Sequence, residues 1–235
     1  MAATVKKTDE RVNDIFFGPL ERPVLRWLCV HMPSWVNSDL LTAIGVLGGL
    51  IIAVGYWFSN FNRHYLWLVD FGFAVNWFGD SLDGSLARYR QSERFQYGYF
   101  VDHTVDTLTQ TMICLGLGLS PFIGFTYAML MLVGYLQLGI LTYVNAAVTG
   151  VFKMSYGKIG PTEIRFLIVG ANLVFYFANN PIIHLPLIDV ALFNLIALGI
   201  TTVFFLYFIV FAFVQAVELS KQDPRKNKIF AQSKL

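Results

Sequence analysis

The chain has 235 residues, 56% of them hydrophobic and only 14% charged, with a formal net charge of +2 and a mean hydropathy of +0.57. A soluble domain of this size carries roughly a quarter charged residues, and the few charges here collect in clusters between apolar runs long enough to cross a bilayer. These figures exclude an ordinary soluble globule, and so small a net charge calls for no nucleic-acid partner.

Residues 1–14 are polar and lack the short apolar core and small-residue cleavage site of a secretory signal, so insertion is expected through the first spanning helix. Residues 15–33 mix Phe, Leu, Trp and Val with Glu21, Arg22 and Arg26. That is too charged to span, and it reads as an amphipathic helix lying along the membrane, broken near Pro19 and Pro23. Six spanning segments follow, at 40–58, 65–86, 98–119, 123–148, 162–179 and 187–216. Gly45, Gly48 and Gly49 in the first allow close helix approach, and the prolines of NNPIIHLPL separate the last two. Cys29 and Cys114 both lie in apolar surroundings and suggest neither a disulfide framework nor a thiolate metal site. The expected fold is all-α: a polytopic membrane protein with six transmembrane helices plus the N-terminal amphipathic interfacial helix. It forms a single domain over 1–235, with a polar start and interfacial helix (1–35), a six-helix core (36–217) and a basic tail (218–235).

Six helices place nearly all Lys and Arg on one side. These are Lys6, Lys7, Arg11, Arg22 and Arg26; Arg88, Arg90 and Arg94; Lys153, Lys158 and Arg165; and Lys221, Arg225, Lys226, Lys228 and Lys234. Arg63 falls on the other side. The positive-inside rule then predicts a multi-pass integral membrane protein with both termini in the cytoplasm.

The charges that need explaining are aspartates at the ends of apolar segments. Asp80 and Asp83 are spaced i,i+3, and Asp102 and Asp106 i,i+4, so each pair shares a helix face. Both pairs fall on the same, cytoplasmic side, and the short loop 88–97 makes their helices neighbours. Four uncompensated carboxylates repel, and protonation or a cation must relieve that. All-oxygen ligands suit Mg²⁺ ahead of Mn²⁺, and four carboxylates shared by two ions form a two-metal site of the kind that holds a pyrophosphate. Asp106, the last of the set, is placed to accept a proton from an attacking hydroxyl. Gly84 and Gly98 bare the backbone where a ligand sits close, Ala87 keeps the next turn small, and Arg88 reaches toward phosphate. His103 faces elsewhere and reads as a packing residue. Two other readings stay open: helix-end charges that set topology, and a divalent-cation or metabolite transporter using intramembrane carboxylates. Against transport, the carboxylates sit at one membrane edge and the helices show no inverted repeat.

The residues Asp80-Ser-Leu-Asp83-Gly84-Ser-Leu-Ala87-Arg88, nine intervening residues, and Gly98-Tyr-Phe-Val-Asp102-His-Thr-Val-Asp106 resemble the signature of the CDP-alcohol phosphotransferase family. All eight fixed positions are present. The resemblance implies six core helices with an amphipathic N-terminal segment, a homodimer as partner state, and a phospholipid-synthesising transferase. A CDP-linked donor is attacked at its β-phosphorus by an alcohol hydroxyl, and CMP leaves. It implies that Asp80, Asp83, Asp102 and Asp106 hold two Mg²⁺ or Mn²⁺ ions and that Asp106 is the general base. Asp80, Gly84, Ala87, Arg88, Gly98 and Thr42 lie at the CDP group. Thr42 matches a Pro-Asn-x-x-Thr element, from which Ser38 and Asp39 depart; Ser38 or Asp39 also reads as a helix cap. Gly160-Pro161-Thr162-Glu163 is similar to a Gly-Pro-x-Glu element of members acting on CDP-choline or CDP-ethanolamine, as is the Asp102-His103 pair. Helix-start chemistry alone also accounts for Pro161 and Glu163.

The metal site looks the same whether the donor is CDP-diacylglycerol or a soluble CDP-alcohol. A phosphorylated acceptor needs dedicated cations. The acceptor or headgroup candidates are Glu163, Arg165, Lys158 and Lys153, and only Arg165 is a cation clearly placed in a helix. The expectation leans to an uncharged acceptor: diacylglycerol with CDP-choline or CDP-ethanolamine, or a polyol with CDP-diacylglycerol. The loop 149–160 suits a lid.

Overall fold

The computed structural model of the chain describes residues 16–149, 160–184, 186 and 189–223. Seven α-helices appear among them. The first, α1 (Gly18–His31), runs unbroken through Pro23, with Pro19 in its first turn. The expected break is absent because Pro23 removes only one intrahelical bond, close to the start where several are already missing. Leu20, Val24 and Trp27 are exposed on one face. On the other, Cys29 packs with Val36, Leu41, Leu82 and Leu86.

The long helices follow in order: α2 (Ser38–Phe58), α3 (Leu66–Tyr89), α4 (Phe95–Gly118), α5 (Phe125–Thr149), α6 (Pro161–Phe177) and α7 (Leu192–Gln222). Neither Ser38 nor Asp39 caps α2. Asn37 does, its side chain accepting from the Leu40 amide at 2.8 Å. Asn180 and Pro181 lead into a short antiparallel hairpin, β1 (Ile182–His184) with β2 (Asp189–Ala191), which pairs Ile183 with Val190. The prolines that stop a helix here thus leave room for two short strands, a small exception to the all-α expectation.

The count of six spanning helices is corrected to three. Among the described residues, only α2, α5 and α7 are long and apolar enough to cross a membrane. Carboxylates disqualify α3, which carries Asp70, Asp80 and Asp83 as well as Arg88. Asp102 and Asp106 do the same in α4, helped by Thr104, Thr107, Thr109 and Thr111. The 17 residues of α6 span about 26 Å at the helical rise, short of a hydrocarbon core of about 30 Å. The cytoplasmic placement of both termini was derived from the six-helix count and loses that basis. Three candidate spans still make this a multi-pass membrane protein, and α7 shows why lipid is its solvent. Val203, Leu206, Val210 and Phe213 stand exposed along one side of it, a surface that water would not tolerate.

The core is organised by α2. It packs against both α3 and α4, so the two carboxylate-bearing helices meet across α2 and not chiefly against each other. Glycine makes the α2–α3 approach possible. A Cβ on Gly48 would fall on the Asn76 backbone, and one on Gly79 would fall on Gly45. On the α4 side, a Cβ on Gly116 would lie 2.5 Å from Ala53 Cα. These are backbone-to-backbone contacts that only glycine permits. Ile52, Tyr56, Val69, Phe73, Ile113 and Leu117 fill the core away from the carboxylates.

Candidate metal centre

Along α3, Asn76, Asp80 and Asp83 recur at spacings of four and three, so they share one face. Their neighbours in space are Thr42 from α2, Asp102 and Asp106 from the start of α4, and Arg165 from the first turns of α6. Carboxylate oxygens of Asp80, Asp102 and Asp106 lie within 4.8 Å of one another. Together with Thr42, Gly45, Asn76, Asp83 and Thr109 they line a small pocket. At that separation each carboxylate pair repels by about 3 kcal/mol at an effective dielectric of roughly 20. Three hard oxygen donors so close can coordinate a divalent cation, and their chemistry fits Mg²⁺ or Mn²⁺.

Asp83 stands apart from this group of three. Its Oδ2 accepts from Thr42 Oγ1 at 2.7 Å and its Oδ1 from the Gly84 amide at 2.5 Å. It lines the cavity with both oxygens already engaged. Ser38 Oγ donates to the Asp83 carbonyl at 2.9 Å, so the start of α2 grips this turn of α3 through two side chains.

Arg165 is half-buried and binds inward. Its Nη2 donates to Asp80 Oδ2 at 2.5 Å and its Nε to Asn76 Oδ1 at 3.0 Å. Glu163, two residues earlier, is spent on backbone. Oε2 accepts from the Gly160 amide at 2.8 Å, closing the first turn of α6, and Oε1 accepts from the Phe17 amide at 2.8 Å. Beside it, Glu21 Oε1 accepts from Trp77 Nε1 at 2.7 Å and from Thr162 Oγ1 at 2.8 Å. Two glutamates therefore tie α1 to α3 and α6 at the carboxylate end of the bundle. Lys153 and Lys158 lie outside the described residues, as does the expected lid.

The remaining predicted residues sit around the rim. Arg88 is exposed and donates to Ser85 Oγ at 3.2 Å; a Cβ on Gly84 would come within 3.3 Å of its Nη1. Ala87 is half-buried. Gly98 is exposed, with nothing within 4 Å of where its Cβ would be. None of these four lines the cavity. His103 stacks on Tyr99 at 4.1 Å and lies 5.3 Å from Tyr143, with Nδ1 3.4 Å from Asp102 Oδ2. Two arginines near the site are committed elsewhere. Arg90 donates to the Met32, Pro33 and Val36 carbonyls, and Arg94 pairs with Asp39.

Asn76 and Glu21 are the polar residues that sequence reasoning passed over. A lone Asn in the apolar run FGFAVNWF, one turn before Asp80 on the same face, was the available signal for the first. Glu21 had none, since its partners Trp77 and Thr162 are distant in sequence.

Over an alignment of 168 residues the chain is 26% identical to cholinephosphotransferase 1 of Danio rerio, covering 65% of this chain and 41% of that protein. The chain thus spans less than half the length of this curated relative. Residues 35–214, which include every carboxylate of the cavity, match the family model described as CDP-alcohol phosphatidyltransferase. That match covers well over half of the chain, and the protein belongs to the CDP-alcohol phosphatidyltransferase family.

Proposed function

We propose that the chain is a metal-dependent transferase that moves a phosphoalcohol or phosphatidyl group from a CDP-linked donor to an alcohol hydroxyl. The observation that carries this reading is the convergence of Asp80, Asp102 and Asp106 oxygens within 4.8 Å inside a region that matches the family. These three carboxylates would hold the divalent cation, with Asp83 joining them if a second ion is bound. Bound there, the cation supplies charge neutralisation for the pyrophosphate and for departing CMP. The acceptor oxygen forms a bond to the β-phosphorus. The bond from that phosphorus to the bridging oxygen breaks, CMP leaves with the electron pair, and Asp106 takes the hydroxyl proton. Thr42 holds Asp83 in place, and Gly84, Ala87 and Arg88 at the rim lie toward the nucleotide.

Between the donor classes, the resemblance to a cholinephosphotransferase favours a soluble CDP-alcohol such as CDP-choline or CDP-ethanolamine, with diacylglycerol as acceptor. The commitment of Arg90 and Arg94 to structural partners supports an uncharged acceptor. An amphipathic N-terminal segment along the cytoplasmic surface is a feature of the family this chain resembles, and Glu21 and Glu163 tie α1 to the carboxylate end of the bundle, which supports a cytoplasmic site.

The test is a substrate panel on purified protein with Mg²⁺. CDP-choline and CDP-ethanolamine would each be offered with diacylglycerol, and CDP-diacylglycerol with inositol, serine or glycerol phosphate. CMP release is expected with a soluble CDP-alcohol and diacylglycerol. Release only from CDP-diacylglycerol would overturn the donor assignment. No release from any pair, with cation flux in proteoliposomes, would replace the transferase by a transporter.

A further inference from the structure

The donor and acceptor geometry around Asn76 is fully determined by its neighbours. This residue is 5% exposed, at the glycine-lined crossing of α2 and α3. Its Nδ2 donates to the Gly45 carbonyl at 2.9 Å, and its Oδ1 accepts from Arg165 Nε at 3.0 Å. Exchanging the two ends of the amide would set oxygen against the Gly45 carbonyl and NH₂ against the guanidinium N–H, losing both bonds. The orientation is therefore fixed by α2 backbone on one side and by Arg165 on the other.

That fixation has a consequence for the guanidinium. Arg165 is planar, and once Nε is pinned by Asn76 and Nη2 by Asp80 Oδ2, the direction of Nη1 is set. Nη1 is buried and has no hydrogen-bond partner. A buried N–H of a charged group is costly to leave unsatisfied, and this one sits on the arginine that contacts a carboxylate of the cavity. Meanwhile Asp80 Oδ1 is left clear of Arg165.

We propose that Asn76 is a positioning residue of the site. It aims Arg165 so that Asp80 keeps one oxygen for the divalent cation and Nη1 meets a phosphoryl oxygen of the CDP-linked donor. The inference rests on the transferase reading for the identity of the donor, while the coupling of Asn76 to Arg165 stands on the hydrogen bonds alone. It makes Arg165, first considered as a binder of the acceptor, a contact to the donor phosphates.

The experiment is a double-mutant cycle on the full chain in detergent or nanodiscs: wild type, Asn76→Ala, Arg165→Lys and the double variant. Mn²⁺ affinity is read by electron paramagnetic resonance without nucleotide, and CDP affinity by calorimetry at saturating Mn²⁺. Each single substitution is expected to weaken CDP binding roughly tenfold or more, the loss of a charge-assisted hydrogen bond. The double variant is expected to bind no worse than Arg165→Lys alone, because Asn76 acts through Arg165. Multiplicative losses, or an Asn76→Ala protein that binds CDP like the wild type, overturn the proposal. Asn76→Leu keeps the packing volume and replaces Asn76→Ala if that variant does not fold; the same two outcomes decide. Turnover with multiplicative losses sinks the positioning role alone. A coupled cycle for CDP with no turnover of any donor sinks the transferase reading and leaves the positioning role standing.

Discussion

At the scale of single residues, the chemistry is concentrated in side chains whose partners are already specified. As the proposed base Asp106 has a task that its amide cannot perform, so Asp106→Asn is expected to lower kcat by about 10²–10⁴ even at saturating Mg²⁺ and donor. Near-normal turnover of that variant would remove Asp106 as the base. Thr42 acts at one remove. Its hydroxyl donates to Asp83 at 2.7 Å, and a hydrogen bond to a charged group contributes about 1.5–3 kcal/mol. Thr42→Val is therefore expected to reduce kcat/KM by roughly tenfold or more, with unchanged helix content by circular dichroism. The aspartates were legible in the sequence because their spacing repeats the helical turn. Their division was not. Nothing in the order of residues says that Asp83 is engaged by Thr42 and the Gly84 amide while Asp80, Asp102 and Asp106 converge, because Thr42 lies 41 positions away.

At the scale of elements, glycine sets the distance between α2 and α3, and hence the width of the cavity between them. Gly79→Ala places a methyl group on the Gly45 backbone, and overpacking of this kind costs about 1–3 kcal/mol. The variant is expected to unfold at clearly lower temperature in detergent. Gly170→Ala in α6, where nothing lies within 4 Å, is the contrast: alanine is the better helix former by up to about 1 kcal/mol, so its midpoint should stay level or rise. Equal loss at both positions would contradict the close-approach account. Most helix limits were readable from apolar runs and their polar ends, since both periodicity and capping are local; the last helix, expected over 187–216, instead runs Leu192–Gln222 because Asp189–Ala191 pair as β2. The number of spans was not, because a helix can be apolar on average and still turn its carboxylates inward. Asp70 shows this well. It accepts from Asn172 Nδ2 at 2.7 Å, and Asn172 in turn accepts from Tyr56 at 2.8 Å. With Arg165 on Asp80, these bonds hold α6 to α3 by a row of polar contacts. Reading α3 as one more span overlooked that inner polar face.

For the whole molecule, chemical labelling tests the proposed cytoplasmic placement of the cavity. Both native cysteines, Cys29 and Cys114, are buried, so background reaction is low. Glu93, exposed between α3 and α4, is a suitable reporter for the end of the bundle that bears the carboxylates. In sealed cells, Glu93→Cys is expected to resist an impermeant maleimide until the membrane is opened; labelling of intact cells would place the cavity outside. Asp80, Asp102 and Asp106 are proposed to form one cation site on which transfer depends. This is tested most directly by measuring CMP release from CDP-choline and diacylglycerol against Mg²⁺ concentration, in the wild type and in Asp80→Asn and Asp102→Asn. Saturable Mg²⁺ dependence is expected in the wild type, with either substitution shifting the half-maximal concentration upward by at least tenfold or abolishing release. Release that persists in a chelator, or an unchanged Mg²⁺ curve in both variants, would contradict the proposed site.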